Sequence, residues 1–206
     1  MSVIRAFIAI NISAEIEQRL KTISQDLQQS LRGMPVRWVP VENIHLTLKF
    51  LGDVSISNLD LLKKVLDSES MGHLPFEFSV GDLGAFPSVR RPRVIWVDVK
   101  APPDLLTLQR GIDNETARLG YAREERPFSP HLTLGRISRN ASSDEARQIS
   151  EVLSNVKVGY VGTAKVSAVF LYRSDLHPSG AIYSAIHSAS LGSRQDPGKS
   201  GLSGHI

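Results

Sequence analysis

The chain contains no cysteine. That excludes disulfides, thiolate catalysis and cysteine-ligated zinc or iron–sulfur centres, and it suits a reducing cytosol. Long apolar runs are also missing: no stretch approaches the length of a membrane span. The opening segment, Met1 to Ile10, is apolar but short and is interrupted by Arg5. It lacks the basic, apolar and cleavage-site layout of a signal peptide, so a soluble cytoplasmic protein is expected. Charge of one sign is scarce as well. Twenty-four basic and 21 acidic residues leave a net charge of +3, which suits an anionic ligand but does not by itself argue for nucleic acid. No heptad seam or exposed apolar stripe calls for a dimer, and a monomer is expected.

What remains is an ordinary globular composition, with 41% hydrophobic and 22% charged residues over 206 positions. That length fits one domain or two small lobes sharing a core. Residues 3–10 read as a buried strand. Ser13 offers an N-cap to an amphipathic helix through Ile16, Leu20, Ile23, Leu27 and Leu31, ending near Gly33. Short strands follow at Val36–Val39 and His45–Leu51, then a helix from Asn58 to about Ser70. Strands are expected at Pro75–Leu83 and Val94–Val99, with a basic, proline-bearing loop, Phe86 to Arg93, between them. A third helix follows Pro102-Pro103 and stops at Gly120. A fourth covers Ser143 to Leu153. Lys165–Tyr172 and Ala181–His187 read as final strands around a turn at His177 to Gly180, and residues 188–206 read as a flexible tail. The order of elements is not strict βα alternation. It predicts an α+β fold of two pseudo-symmetric lobes, each an antiparallel β-sheet backed by helices, around a central cleft, with residues 1–187 forming one bilobal domain.

The word His-Leu-Thr-Leu occurs twice, at residues 45–48 and 131–134. Side chains alternate across a strand, so His45 and Thr47 share one face while Leu46 and Leu48 share the other, and His131 and Thr133 repeat the pattern. A strand histidine can be purely structural. Zinc ligation would need a third ligand at a suitable spacing, and His73, His177, His187 and His205 are scattered. A nucleophilic triad would need a Gly-x-Ser-x-Gly elbow, which is absent. General acid–base catalysis at a phosphodiester needs two imidazoles and no metal. One removes a proton from water and the other protonates the leaving oxygen. Threonine hydroxyls can hold the non-bridging oxygens, and a guanidinium can neutralise developing charge. Arg136 suits that last part, but strict alternation puts it on the wrong face, so a bulge or turn at Gly135 is required.

With these flanks the chain resembles the two-histidine phosphoesterase superfamily, and within it the RNA 2′,3′-cyclic phosphodiesterases, historically called 2′-5′ RNA ligases. The matching stretches are Arg5–Ala9, Asn43–Gly52, Gly84–Pro87, Arg91–Trp96, Pro127–Arg136, Leu171–Ser174 and Pro178–Tyr183. The resemblance implies metal-independent hydrolysis of RNA 2′,3′-cyclic phosphate ends to 2′-phosphomonoesters, without a cofactor. It implies His45 as proton donor to the 3′-oxygen and His131 as the base that activates water. Thr47, Thr133 and Arg136 map to phosphate contacts. Phe50 and the Arg90–Arg93 loop are lesser candidates for base stacking and backbone contact. Action on 2′-5′-linked oligonucleotides or another cyclic phosphate, or RNA-end binding without turnover, are the alternatives.

Overall fold

In the computed structural model, which describes residues 2–177 and 180–193, nine strands and four α-helices alternate unevenly along the chain. The elements are β1 (Val3–Ile10), α1 (Ala14–Ser30), β2 (Val36–Trp38), β3 (Leu46–Ser55), α2 (Leu59–Met71), β4 (Phe76–Ser88) and β5 (Arg91–Lys100). They continue with α3 (Pro103–Arg118), β6 (His131–Ile137), α4 (Ser143–Asn155), β7 (Tyr160–Val166), β8 (Ala168–His177) and β9 (Gly180–Ser190). Local chemistry sets the helix ends. The Ser13 hydroxyl accepts from the Ile16 amide at the start of α1, and Ser142 with Glu145 forms a reciprocal capping box on α4. Among the described residues no helix is long and apolar enough to cross a membrane.

All strand pairs are antiparallel, in the order β7-β4-β5-β6-β3-β1-β8-β9, with β2 also paired to β6. The sheet divides into two halves, β7-β4-β5-β6 and β3-β1-β8-β9. One residue pair joins them, Leu46 on β3 with Leu132 on β6. Beyond it β3 and β6 part, and β2 takes up the freed edge of β6 through Val36↔Ile137, Arg37↔Arg136 and Trp38↔Gly135. Two of the helices, α1 and α3, are exchanged between halves, whereas α2 and α4 stay with the half they leave. α1 leaves β1 and packs on β7, and α4 packs on β5. α3 leaves β5 and packs on β3, and α2 packs on β8 and β9. The expected pair of helix-backed antiparallel sheets is therefore present. A single core contains Leu20, Leu27, Leu62, Leu105, Ile112 and Ile149, with both joining leucines fully buried. Truncating either joining leucine to alanine would cost about 2–5 kcal/mol.

Three expectations are corrected. The segment Phe86–Arg93 is not a loop but the tip of the β4–β5 hairpin, with Pro87 opposite Pro92 and only Val89-Arg90 in the turn. The prolines are tolerated because β7 leaves β4 after Gly81 and β6 reaches β5 only from Val94, so neither missing N–H faces a further strand. Lys165–Tyr172 is not one strand. It breaks at Ser167 between β7 and β8, and β7 starts earlier, at Tyr160. The expected tail begins too soon, because β9 continues to Ser190 and buries Ala189, with Leu191 buried just beyond it. The remainder of that tail, residues 194–206, and the turn residues Pro178 and Ser179 lie outside the described residues.

Candidate active site

The Leu46↔Leu132 pair sets the geometry of both motifs. Opposed residues in a sheet point the same way, so both leucines enter the core together and the flanking His45, Thr47, His131 and Thr133 all face away from it. Continuing the antiparallel register sets His45 across from Thr133 and Thr47 across from His131. The two histidines therefore flank the joining leucine pair diagonally, on the same face of the sheet.

Each imidazole is held in the same manner. His45 Nδ1 donates to the Asn43 carbonyl at 2.8 Å, and His131 Nδ1 donates to the Ser129 carbonyl at 2.7 Å. A carbonyl can only accept, so in the neutral ring the proton is on Nδ1 and the lone pair is on Nε2. Both reactive nitrogens therefore project from rings fixed by the residue two positions upstream.

Each strand then breaks its alternation at the same place. The last leucine of each motif is a bulge. β3 skips Leu48 between Thr47↔Ala9 and Lys49↔Ile8, and β6 skips Leu134 between Thr133↔Trp96 and Gly135↔Ile95. The skip reverses the phase of the residues beyond it. Lys49 turns inward, is 4% exposed, and donates to Asp113 and the Ala122 carbonyl. Phe50 turns outward, at 66% exposure. On β6 Gly135 turns inward, where a Cβ would lie 3.0 Å from Trp38 and from Val36, and Arg136 turns outward. The required bulge thus falls at Leu134, one residue before the glycine.

Aromatic rings support both histidines, from strands to which sequence reasoning gave no role. Phe7 of β1 stacks on His45 with centroids 4.7 Å apart, and Tyr183 of β9 meets the same ring edge-on at 5.2 Å. Tyr172 of β8 stacks on Phe7 at 5.3 Å. On the other half, Phe86 meets His131 edge-on at 4.8 Å and packs on Trp96 at 5.0 Å. Gly84 permits this, since a Cβ there would lie 2.1 Å from the Trp96 ring. Asp98 is register-paired with His131. The only sequence signal for these groups was their presence in the family-like stretches, and Asp98 had none.

This environment favours neutral imidazoles. Burial pushes His45 from the ordinary 6.5 down to about 4; the Asn43 carbonyl opposes the shift, and the Arg136 guanidinium adds to it. Burial also lowers His131, opposed by the Ser129 carbonyl, with Arg136 lowering it further and Asp98 raising it. One guanidinium therefore acts on both rings, which places Arg136 with the histidines. Of the other candidates, Thr47 and Thr133 are half-buried beside them, and Phe50 lies 6.3 Å from Phe7 on the same face. Arg93 is instead tied to the Ser138 and Arg139 carbonyls. Among the described residues no three His, Asp or Glu side chains gather as a metal site would require. The arrangement offers two lone-pair nitrogens, two hydroxyls and one cation on one face of the sheet, a set suited to moving protons at an anionic ester.

Comparison with known proteins points the same way. The family model described as LigT like Phosphoesterase matches the chain twice, over residues 10–96 and 97–183, so each copy contains one His-Leu-Thr-Leu. An RNA 2′,3′-cyclic phosphodiesterase of Methanothermobacter thermautotrophicus is 37% identical over 87% of this chain and 95% of its own length. Another, from Aquifex aeolicus, is 30% identical over 93% of this chain and 100% of its own. The crystal structure of E. coli LigT complexed with 3′-AMP superposes with a TM-score of 0.73 at 25% identity, covering 92% of this chain and 99% of that one.

Proposed function

The chain belongs to the LigT-like phosphoesterase family, and on that premise we propose that it hydrolyses RNA 2′,3′-cyclic phosphate ends to 2′-phosphomonoesters without a metal. The observation that carries the reading is the single Leu46↔Leu132 pair, which puts two identically held imidazoles on the same face of the sheet. The shared name of the relatives supports the substrate.

In the reaction, His131 Nε2 takes a proton from water as the water oxygen bonds to phosphorus. The phosphorus–O3′ bond breaks, and His45 delivers its proton to the departing 3′-oxygen, leaving the phosphate on O2′. Thr47, Thr133 and Arg136 hold the non-bridging oxygens as charge accumulates. The surroundings favour this division of labour. The Asp98 carboxylate beside His131 stabilises the imidazolium that forms when that ring accepts a proton. A ring as depressed as His45 is a strong donor once protonated, and the bound phosphodiester anion opposes Arg136 and helps bring that proton in. The protein is taken to act as a cytoplasmic monomer; sedimentation at a mass other than 22.6 kDa would correct that.

The test is to incubate the protein in chelator with an RNA bearing a 2′,3′-cyclic phosphate and to identify the product end. A 2′-phosphomonoester is expected. No hydrolysis, a 3′-phosphate product, or activity retained in the His45→Ala/His131→Ala double variant would overturn the reading. Parallel assays with 2′-5′-linked oligonucleotides measure the competing specificity.

A further inference from the structure

A second feature adjoins the site and shares Arg136 with it. Where β3 parts from β6 and β2 takes its place, an open groove of about 1220 Å³ runs along β2, the start of β5 and the end of β6. Among the described residues four arginines line it, Arg37, Arg93, Arg136 and Arg139, and no acidic side chain does. All four are exposed, and among the described residues none is in an ion pair. Arg37 and Arg136 are directly opposed across the β2–β6 ladder. Like charges in that position repel and destabilise a sheet unless an anion lies between them. Arg93 holds the turn that carries Arg139, through the Ser138 and Arg139 carbonyls.

We propose that this groove is a track for the phosphodiester backbone of single-stranded RNA, seating the nucleotides that precede the cyclic phosphate end. Arg136 belongs both to the site and to the groove, so a chain whose last phosphate meets the histidines leads directly onto Arg37 and Arg139. Guanidinium forks suit successive phosphate oxygens, and backbone contacts of this kind confer affinity without sequence preference. The protein should therefore prefer an oligonucleotide end over a mononucleoside cyclic phosphate. That preference rests on the proposed activity, whereas RNA binding by the groove does not.

The test uses the Arg37→Gln/Arg139→Gln variant, which leaves Arg136 and the Arg93 anchor in place. Binding of a fluorescent single-stranded RNA ending in a 3′-phosphate is measured by anisotropy over a salt series. Turnover of a mononucleoside 2′,3′-cyclic phosphate and of an oligonucleotide with the same end is measured alongside. The variant should bind RNA ~10-fold or more weakly, with a salt dependence shallower by about 0.7 in log–log slope for each phosphate contact removed. It should lose the oligonucleotide preference while turning over the mononucleotide like the parent, which also reports an intact fold. Unchanged RNA affinity and slope, or displacement of the RNA by polyglutamate at equal charge, would overturn the track. An equal loss on both substrates would overturn it too, since the arginines would then serve the reacting phosphate. Weakened RNA binding in a protein that hydrolyses neither substrate would leave the track standing and remove the proposed activity.

Discussion

The His45 half and the His131 half use one backbone design and fill it differently. In both, an imidazole donates Nδ1–H to the carbonyl two residues back, a threonine follows on the same face, and the closing leucine is a bulge. The bulge delivers the residue five beyond each histidine to the site face, and there the halves diverge. One presents Phe50 and the other Arg136. The residue before it is swallowed by the core in each case, as Lys49 bound to Asp113 or as Gly135 beneath Trp38. Surroundings differ in the same sense. His45 lies against Phe7 and Tyr183, whereas His131 has Phe86 and Asp98 as neighbours. A symmetric frame thus carries an asymmetric charge: the cation and the carboxylate both belong to the His131 half. Matching backbones place two identical side chains, and under the proposed mechanism the unlike neighbours are what would separate the donor from the acceptor.

The largest test of that division is removal of each ring. His45→Ala and His131→Ala should each lower turnover by ~10²–10⁴, and the double variant should fall little further, because the two act as a unit. Their pH profiles should differ. Without the base the rate no longer falls toward acid, and without the acid it no longer falls toward alkali. Identical residual profiles would break the assignment of unlike roles.

Arg136→Gln comes next, with a loss of ~10²–10³ in kcat expected for a group that meets charge developing in the transition state. It also carries a signed pH prediction. The guanidinium lowers both imidazoles, so its removal raises both, and the bell in kcat/KM moves toward higher pH. In the parent both rings sit below 6.5, so the kcat/KM optimum should lie on the acid side of that value. A rate loss with an unmoved optimum would detach Arg136 from the rings.

Much of this was legible in the sequence, for physical reasons that also mark its limits. Helix ends were readable because Ser13 and Gly120 act within a few residues of themselves. The His-x-Thr faces were readable because alternation is local. The β4–β5 hairpin was not, because Pro87 and Pro92 look like loop residues unless it is known that no strand lies beyond them. The break at Ser167 has no glycine or proline to announce it. The bulge can be demanded for Arg136 but not located, and nothing in the sequence announces its twin at Leu48, which turns Phe50 to the site face. Phe7, Tyr183, Phe86 and Asp98 reach the histidines only through the register between strands, and that is set by tertiary pairing.

Phe50 tests the divergent position itself. A 66%-exposed ring on the site face offers a platform for a base, and stacking of that kind contributes about 1–3 kcal/mol per base. Phe50→Ala should raise KM by ~10-fold and leave kcat within a few-fold, whereas Phe50→Trp should preserve KM. Loss confined to kcat would make the residue part of the chemistry and erase its contrast with Arg136.

The smallest effect, and the most selective, belongs to Asp98. Its carboxylate raises the proton affinity of His131 and is not among the causes acting on His45. Asp98→Asn removes that support, so His131 should give up its proton at a lower pH than in the parent while His45 titrates unchanged. Following the two imidazole Cε1–H resonances by NMR through a pH titration separates the rings without any assay of activity. If both resonances move together, the rings form one coupled pair that shares its titration, and the carboxylate does not discriminate between them. If only the His131 resonance moves, a single side chain on β5 distinguishes two histidines that the backbone holds in the same way.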